Sequence, residues 1–298
     1  MSHRLPHPIP YQGSKRRLAT QILSVVGERR YERVFEPFAG SGAITLAASA
    51  GGYAHGYTLG DSLEPLVELW CQMLEAPVSL ADEYEAIWTE QLADPPGHYL
   101  RVRDEFNTGG GAAKLLYLLA RCVKNSPRFN SRGEFNQSPD HRRNGMNPAK
   151  MRREINGAAA LLGGSTVVEC ADFGVLLQEA TPNDLVYLDP PWEGTSKGTD
   201  KRYRDWLSRE RLVEVLEDLH VRGVPYLLSY DGRHGDKTYG DELPPSIGAR
   251  RLELAAGRSS QATLNGQKVL TFESLYVATT ITEQPRFVEP LGLFAAAA

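Results

Sequence analysis

Arg33-Val34-Phe35-Glu36-Pro37-Phe38-Ala39-Gly40-Ser41-Gly42 runs directly into Ala43-Ile44-Thr45-Leu46-Ala47-Ala48. A short apolar run enters a loop of small residues and leaves it as good helix formers, which predicts strand, tight turn and helix. Gly40 and Gly42 permit tight turning and let a ligand come close to the backbone. The N–H groups that open the helix are expected to face that ligand. The loop is not the dinucleotide fingerprint G-x-G-x-x-G, because Thr45 stands at the third glycine position. By itself, the stretch is equally an ordinary strand–turn–helix connection.

Further along, Ala54-His55-Gly56-Tyr57-Thr58-Leu59-Gly60-Asp61 reads as a second strand ending in an acid about twenty residues after the glycine turn, where Rossmann-like sheets place a ribose-binding carboxylate. Asp61 is therefore a candidate cofactor ligand, with an N-cap or turn role before the helix at 63–74 as the alternative. A third strand end is Asn183-Asp184-Leu185-Val186-Tyr187-Leu188-Asp189-Pro190-Pro191-Trp192. Proline lacks an N–H and fixes φ, so pairing must stop there and Asp189 is held at the carboxyl end of a buried strand. Asp189 offers carboxylate oxygens beside the Pro190 carbonyl, and Trp192 offers a stacking face. Two acceptors and a ring suit a planar amine. A second Asp-Pro-Pro, at Asp94-Pro95-Pro96-Gly97, follows a helix-like segment instead.

Around these motifs the pattern predicts helices at 63–74, 78–92, 99–106 and 113–124, separated by Pro77, Pro95-Pro96-Gly97 and Gly109-Gly110-Gly111. Another helix starts with Asn147 as N-cap and Pro148 at its first position and runs to about 162. Strands are expected at 166–170, 185–188 and 225–229, with a helix at 208–221 between the last two. This alternation implies a parallel sheet. Antiparallel strands follow at 250–254 and in a hairpin turning at Asn265-Gly266.

At 298 residues, 41% hydrophobic and 23% charged, the composition is that of a soluble globular protein. No apolar run reaches membrane-spanning length and residues 1–10 lack a signal peptide's apolar core, so a cytoplasmic location is expected. Cys71, Cys122 and Cys170 form no C-x-x-C pair and the seven His no i, i+4 pair, so neither disulfides nor a metal is expected. The net charge of −4 conceals an asymmetry: residues 121–160 hold nine Lys or Arg against three acids, +6, leaving −10 elsewhere. A basic segment on an acidic body fits one phosphate-facing surface. Within it, Lys124, Asn125, Arg128, Asn130, Arg132, Asn136, Arg142 and Arg143 are candidate nucleic-acid contacts. Phe129 and Phe135 are spaced to pin a hairpin around Arg132-Gly133. Lys197, Lys201, Arg202 and Arg204 form a second basic patch after Trp192, where phosphate contacts are expected.

In their order along the chain these motifs resemble the Dam-like, alpha-class (D12-type) DNA adenine-N6 methyltransferases. Tyr11-Gln12-Gly13-Ser14-Lys15 is similar to that family's N-terminal motif, Phe35–Gly42 to its F-x-G-x-G motif, and Asp189-Pro190-Pro191-Trp192 to its catalytic motif. Arg128-Phe129-Asn130-Ser131-Arg132-Gly133-Glu134-Phe135-Asn136 is similar to its recognition segment. Two positions depart from the pattern: Trp192 replaces the commoner Tyr, and Tyr230 stands at the Asn of a later S-N-x-D-like motif.

The resemblance implies a Rossmann-like S-adenosylmethionine-dependent methyltransferase sheet, α/β, over residues 1–65 and 166–298, with an inserted, mainly helical target-recognition domain over 66–165. It implies S-adenosylmethionine as cofactor, held by Tyr11, Gln12, Gly13, Lys15, Glu36, Phe38, Ala39, Gly40, Gly42, Asp61, Asp172, Phe173 and Asp189. Lys15 is expected on the cofactor or on the catalytic acid. Double-stranded DNA is the implied partner, with room for a cognate restriction endonuclease. Cytosine-N4 methylation would put Ser in place of Asp189, a nicotinamide oxidoreductase would have no role for Asp189–Trp192, and a non-catalytic DNA-binding module would not need to keep Asp189 and Gly40.

Overall fold

The computed structural model describes residues 4–191, 208–234, 237–239, 242–258 and 270–282. Trp192, Lys197, Lys201, Arg202, Arg204 and the Asn265-Gly266 turn lie outside the described residues. The strands are β1 (Tyr31–Glu36), β2 (Ala54–Asp61), β3 (Thr166–Cys170), β4 (Leu185–Leu188), β5 (Tyr226–His234), β6 (Lys237–Tyr239), β7 (Ala249–Arg258) and β8 (Leu270–Ala278). They form one mixed sheet in the order β3-β2-β1-β4-β5-β8-β7, with β6 paired to β5. The first five run parallel, and β7 and β8 add antiparallel partners beyond β5.

All four residues of β4 are buried, as a central strand covered on both faces requires. Their alternation assigns two cores. Leu185 and Tyr187 join Leu227, Leu275 and Val277 against α1 (Ala19–Ser24) and α2 (Ala43–Ala50). Val186 and Leu188 join Leu228 and Tyr276 against α8 (Phe173–Leu176) and α9 (Arg209–Val221). The chain leaves β1 toward β2 on one side and reaches β4 on the other, so the strand order reverses between β1 and β4. A crevice opens at such a reversal, outside the carboxyl ends of the strands.

A third core belongs to the middle of the chain: α3 (Glu64–Glu75), α4 (Pro77–Glu90), α5 (Pro95–Gly109), α6 (Ala112–Arg121) and α7 (Pro148–Leu162). Helix α6 is buried on nearly every side, as its sequence Ala-Ala-Lys-Leu-Leu-Tyr-Leu-Leu-Ala-Arg dictates. This core also takes in Leu46 of α2 and Leu59 of β2, so the helical layer is fused to the sheet. Asn147 caps α7 as expected, accepting from the Lys150 N–H at 3.4 Å.

Three element expectations are corrected. Pro95 and Pro96 open α5 instead of preceding it: Asp94 caps the helix by accepting from the Gly97 N–H at 3.1 Å, and a proline in the first turn lacks only an N–H that has no intrahelical partner. Helix α6 stops at Arg121 rather than Lys124. Cys122 turns extended to bridge Pro139, and Lys124 and Asn125 take positive φ of 60° and 53°. Strand β5 continues past Ser229 to His234, through a register shift against β8 between Ser229 and Gly232.

Candidate active site

Because β1 to β4 are parallel, Glu36, Asp61, Asp172 and Asp189 all fall at or just beyond carboxyl ends of strands. The expectation that the opening N–H groups of α2 face a ligand is corrected by Glu36. Its buried carboxylate accepts from the Ile44 N–H at 3.4 Å and the Thr45 N–H at 2.8 Å, which satisfies the helix start from within. Burial pushes the Glu36 carboxyl up to about 7, held back by those same N–H groups. The glycine loop is braced instead of open at that end. Its Ala39 N–H donates to the Gly60 carbonyl at 2.8 Å, and the Trp70 indole donates to the Gly40 carbonyl at 3.2 Å.

Asp61 also grips the loop, accepting from the Gly40 N–H at 3.3 Å and from the Leu63 N–H at 3.0 Å. Burial raises its carboxyl to about 6, with those N–H groups pulling the other way. The Tyr11 ring packs against Gly40, and Phe38 meets Phe173 with ring centroids 5.1 Å apart. Asp172 caps α8 through the Gly174 N–H at 3.0 Å and pairs with Arg211, whose guanidinium also lies over Phe173. Arg211 was not legible as a site residue from its helical context in the sequence.

The N-terminal motif reaches the centre of the site. Lys15 Nζ donates to Asp189 Oδ1 at 2.8 Å, with Gly13 O at 3.4 Å, although Lys15 is remote from Asp189 in sequence and only 7% exposed. Burial disfavours the ammonium, but Asp189 and Glu273 outweigh it and raise the Lys15 pKa. Burial likewise raises the Asp189 carboxyl, with Lys15 pulling it back. Ser14 Oγ and Ser41 Oγ share a hydrogen bond of 2.7 Å, which ties this motif to the glycine loop. Gln12 N–H donates to the Asn125 carbonyl at 2.9 Å and ties it to the helical layer. Glu273 of β8, missed from the sequence, lies 3.6 Å from Lys15 Nζ. The signal available for it was a lone acid within the apolar run Leu270-Thr271-Phe272-Glu273-Ser274-Leu275.

Segment 128–136 folds as expected into a hairpin. Phe129 bridges Phe135, with Asn130 N–H donating to Glu134 O at 2.9 Å and Asn136 N–H donating to Arg128 O at 2.8 Å. Phe135 is buried edge-on to both Phe129 and Phe106, at 5.5 and 6.3 Å. Asn130 Oδ1 accepts from the N–H groups of Arg132 and Glu134, so its carbonyl shapes the turn. Arg132, 76% exposed, pairs with Glu134 at 2.7 Å.

The basic charge of 121–160 is less free than the count implied. Arg121 is buried and donates to the Asp140 carbonyl, and Arg152 pairs with Asp82 and Glu85. Arg142 and Arg143 both pair with Asp140, and Arg143 also reaches Cys122 O and Asn125 Oδ1. The Asn125 amide donates to Leu119 O at 2.7 Å, so both its ends serve the fold. Lys124, Arg142 and Arg143 line a surface cleft with Asp140. Among the described residues, no group of three or more His, Cys, Asp or Glu is placed to hold a metal, and no helix is long and apolar enough to cross a membrane.

The family profile of the D12 class N6 adenine-specific DNA methyltransferases matches residues 11–259. A DNA N-6-adenine-methyltransferase of Escherichia phage P1 is 28% identical over 262 residues, covering 84% of this chain and 32% of that protein, so the chain spans about a third of its length. The retron Ec67 DNA adenine methylase of Escherichia coli is 30% identical over 244 residues, covering 78% of this chain and 80% of that protein. The type II methyltransferase M1.LlaDCHI of Lactococcus lactis subsp. cremoris is 24% identical over 272 residues, covering 86% and 90%. The profile match takes in the glycine loop, the hairpin of Phe129 and Phe135, and Asp189, and the chain belongs to the D12 class of N6 adenine-specific DNA methyltransferases.

Proposed function

We propose that this chain transfers a methyl group from S-adenosylmethionine to N6 of an adenine flipped out of duplex DNA, at a specific site. The observation that carries the reading is the Lys15–Asp189 pair, 2.8 Å long, at the carboxyl end of β4 beside the strand-order reversal. When bound, S-adenosylmethionine supplies an electrophilic methyl on a positive sulfonium. The surroundings suit such a cation, since the two acids Asp189 and Glu273 outnumber Lys15. Tyr11, Gln12, Gly13, Ala39, Gly40 and Gly42 would border the donor, Phe38 and Phe173 would offer it a ring surface, and Asp61 would take the ribose hydroxyls. Glu36 would act by bracing the loop, and Asp172 would need its free edge beside Arg211 to reach the adenine amine.

The adenine N6 lone pair is delocalised into the ring, so the enzyme must recover that lone pair before it can attack. Asp189 Oδ2 and the Pro190 carbonyl would each accept one N–H, favouring a more tetrahedral nitrogen aimed in line at the methyl. Lys15 fixes the carboxylate through Oδ1. After transfer the nitrogen sheds a proton, and Asp189, whose affinity for protons burial has raised, is placed to take it. Pro191 would hold the turn rigid, and Trp192 would stack on the flipped base. Residues 66–165 would form the target-recognition part of the chain, supported by their own helical core and by the hairpin tip bearing Arg132 and Asn136. The remainder, 1–65 and 166–298, would be catalytic. The type II methyltransferase among the relatives supports a restriction endonuclease as a further partner.

Duplex DNA from a methylation-deficient host expressing the chain, digested to nucleosides and analysed by mass spectrometry, should contain N6-methyladenine, with methylation-sensitive sequencing giving one recurring context. N4-methylcytosine in its place would overturn the base assignment.

The raised Asp61 carboxyl gives cofactor binding a pH dependence. An ionised Asp61 accepts ribose hydroxyls, so affinity is complete above about 6 and lost as pH falls through it. Calorimetry should show the dissociation constant rising up to about tenfold per pH unit below that point. A constant value from pH 7 to pH 5 would remove Asp61 from the cofactor site.

On the DNA side, Arg142 is 88% exposed and Arg143 only 41%, being held by three acceptors. Arg142→Ala should reduce the salt slope of DNA affinity by about 0.9, one phosphate contact, and Arg143→Ala by less. Identical slopes in wild type and Arg142→Ala would show that Arg142 does not meet phosphate.

A further inference from the structure

Glu273 stands in a place where a carboxylate needs a reason. On β8, Glu273, Leu275 and Val277 alternate onto one face; Leu275 and Val277 are wholly buried in the core shared with Tyr187 and Leu227. The same face therefore ends in an acid. Its Oε2 is buried, accepts no hydrogen bond among the described residues, and lies 3.6 Å from Lys15 Nζ, an ion-pair distance. Position 273 pairs with Gly232 of β5 just beyond the register shift that follows Ser229, so the bulge sets which β8 residue comes opposite the lysine. Replacing a whole buried ion-pair cluster by apolar residues is often neutral or stabilising, so stability alone does not call for charges at this place.

We propose that Glu273 is a positioning residue for methyl transfer: it divides the Lys15 ammonium with Asp189, holding the lysine where it grips Oδ1 and leaves Oδ2 turned to the target amine. The inference rests on the reading of Asp189 as the acceptor of that amine. Lys15 is anchored on its own backbone by Gly13 O at 3.4 Å, and between the two acids it has a fixed position instead of a single strong pair that could draw Asp189 toward it. Among the described residues, the charged or titratable groups around Asp189 are Lys15 from the N-terminal motif, Glu36 from β1, Tyr187 from β4 and Glu273 from β8. Burial raises the Glu273 carboxyl, Lys15 lowers it and Asp189 raises it; two carboxylates that share one ammonium repel, so a charge on either disfavours a charge on the other. Removing the Glu273 charge should accordingly let Asp189 ionise at lower pH.

The test compares wild type with Glu273→Gln, using carbon-13 NMR of selectively labelled Asp carboxyls with Asp189→Asn to assign the signal. The Asp189 midpoint should fall by roughly one pH unit in Glu273→Gln. The acid limb of single-turnover methyl transfer should move the same way, and the plateau rate should drop about tenfold as the carboxylate loses its alignment, with KM for DNA and for S-adenosylmethionine little changed. An Asp189 midpoint equal in the two proteins overturns the proposal, because a packing role would alter rate without moving the titration. Should Glu273→Gln not fold, wild type alone decides: labelled Asp189 and Glu273 must titrate as a coupled pair, each in two steps, and independent single steps overturn the idea. If wild type makes no N6-methyladenine, the functional reading falls, while the carboxyl titrations still judge Glu273.

Discussion

Asp189→Ala should lower methyl transfer by on the order of a hundredfold or more while leaving DNA binding nearly intact, because it removes the acceptor of the reacting amine. The fold should survive. Asp189 lies just past the last residue of β4 with 21% of its side chain exposed, and its loss leaves Lys15 still paired with Glu273, so no buried charge is orphaned. Single-turnover rates with radiolabelled donor, beside melting curves, separate chemistry from folding. Activity above about one percent of wild type with binding preserved would sink the assignment of Asp189 as the amine acceptor.

The second large effect is on stability. Gly42 N-caps α2 with φ 60° and ψ 29°, and a Cβ there would lie 2.6 Å from Trp70 Cζ2 and 2.9 Å from Cη2. Trp70 is buried and its indole is tied to the Gly40 carbonyl, so the ring cannot yield without disturbing the loop. Left-handed backbone costs about 1–2 kcal/mol for a residue with a Cβ, and overpacking about 1–3 kcal/mol more. Gly42→Ala should therefore lower the melting temperature by on the order of 10 °C. Gly52→Ala is the matched control: φ is 61° but nothing lies within 4 Å of its Cβ position, so only the backbone cost applies. Equal losses in the two variants would show that contact with Trp70 costs nothing.

Strand β4 and the cap of α7 lie where the sequence put them, because both are local: an apolar run stopped by Pro190-Pro191, and Asn147-Pro148 opening a helix. The hairpin at Phe129 and Phe135 was legible for the same reason, since the glycine between two rings six residues apart lets the chain turn and bring them together. The family, and with it the sheet type, followed from the order of four motifs along the chain. What needed the tertiary structure was every partnership between distant segments. Lys15 meets Asp189 and Glu273 only because β4, β5 and β8 lie side by side, Arg121 is drawn inward by a carbonyl nineteen residues on, and Asp140 takes up two arginines that a charge count leaves free. Local propensity and periodicity act over a few residues and can be read in one dimension. The pairing of buried charges depends on strand order and register, which a chain acquires only once folded.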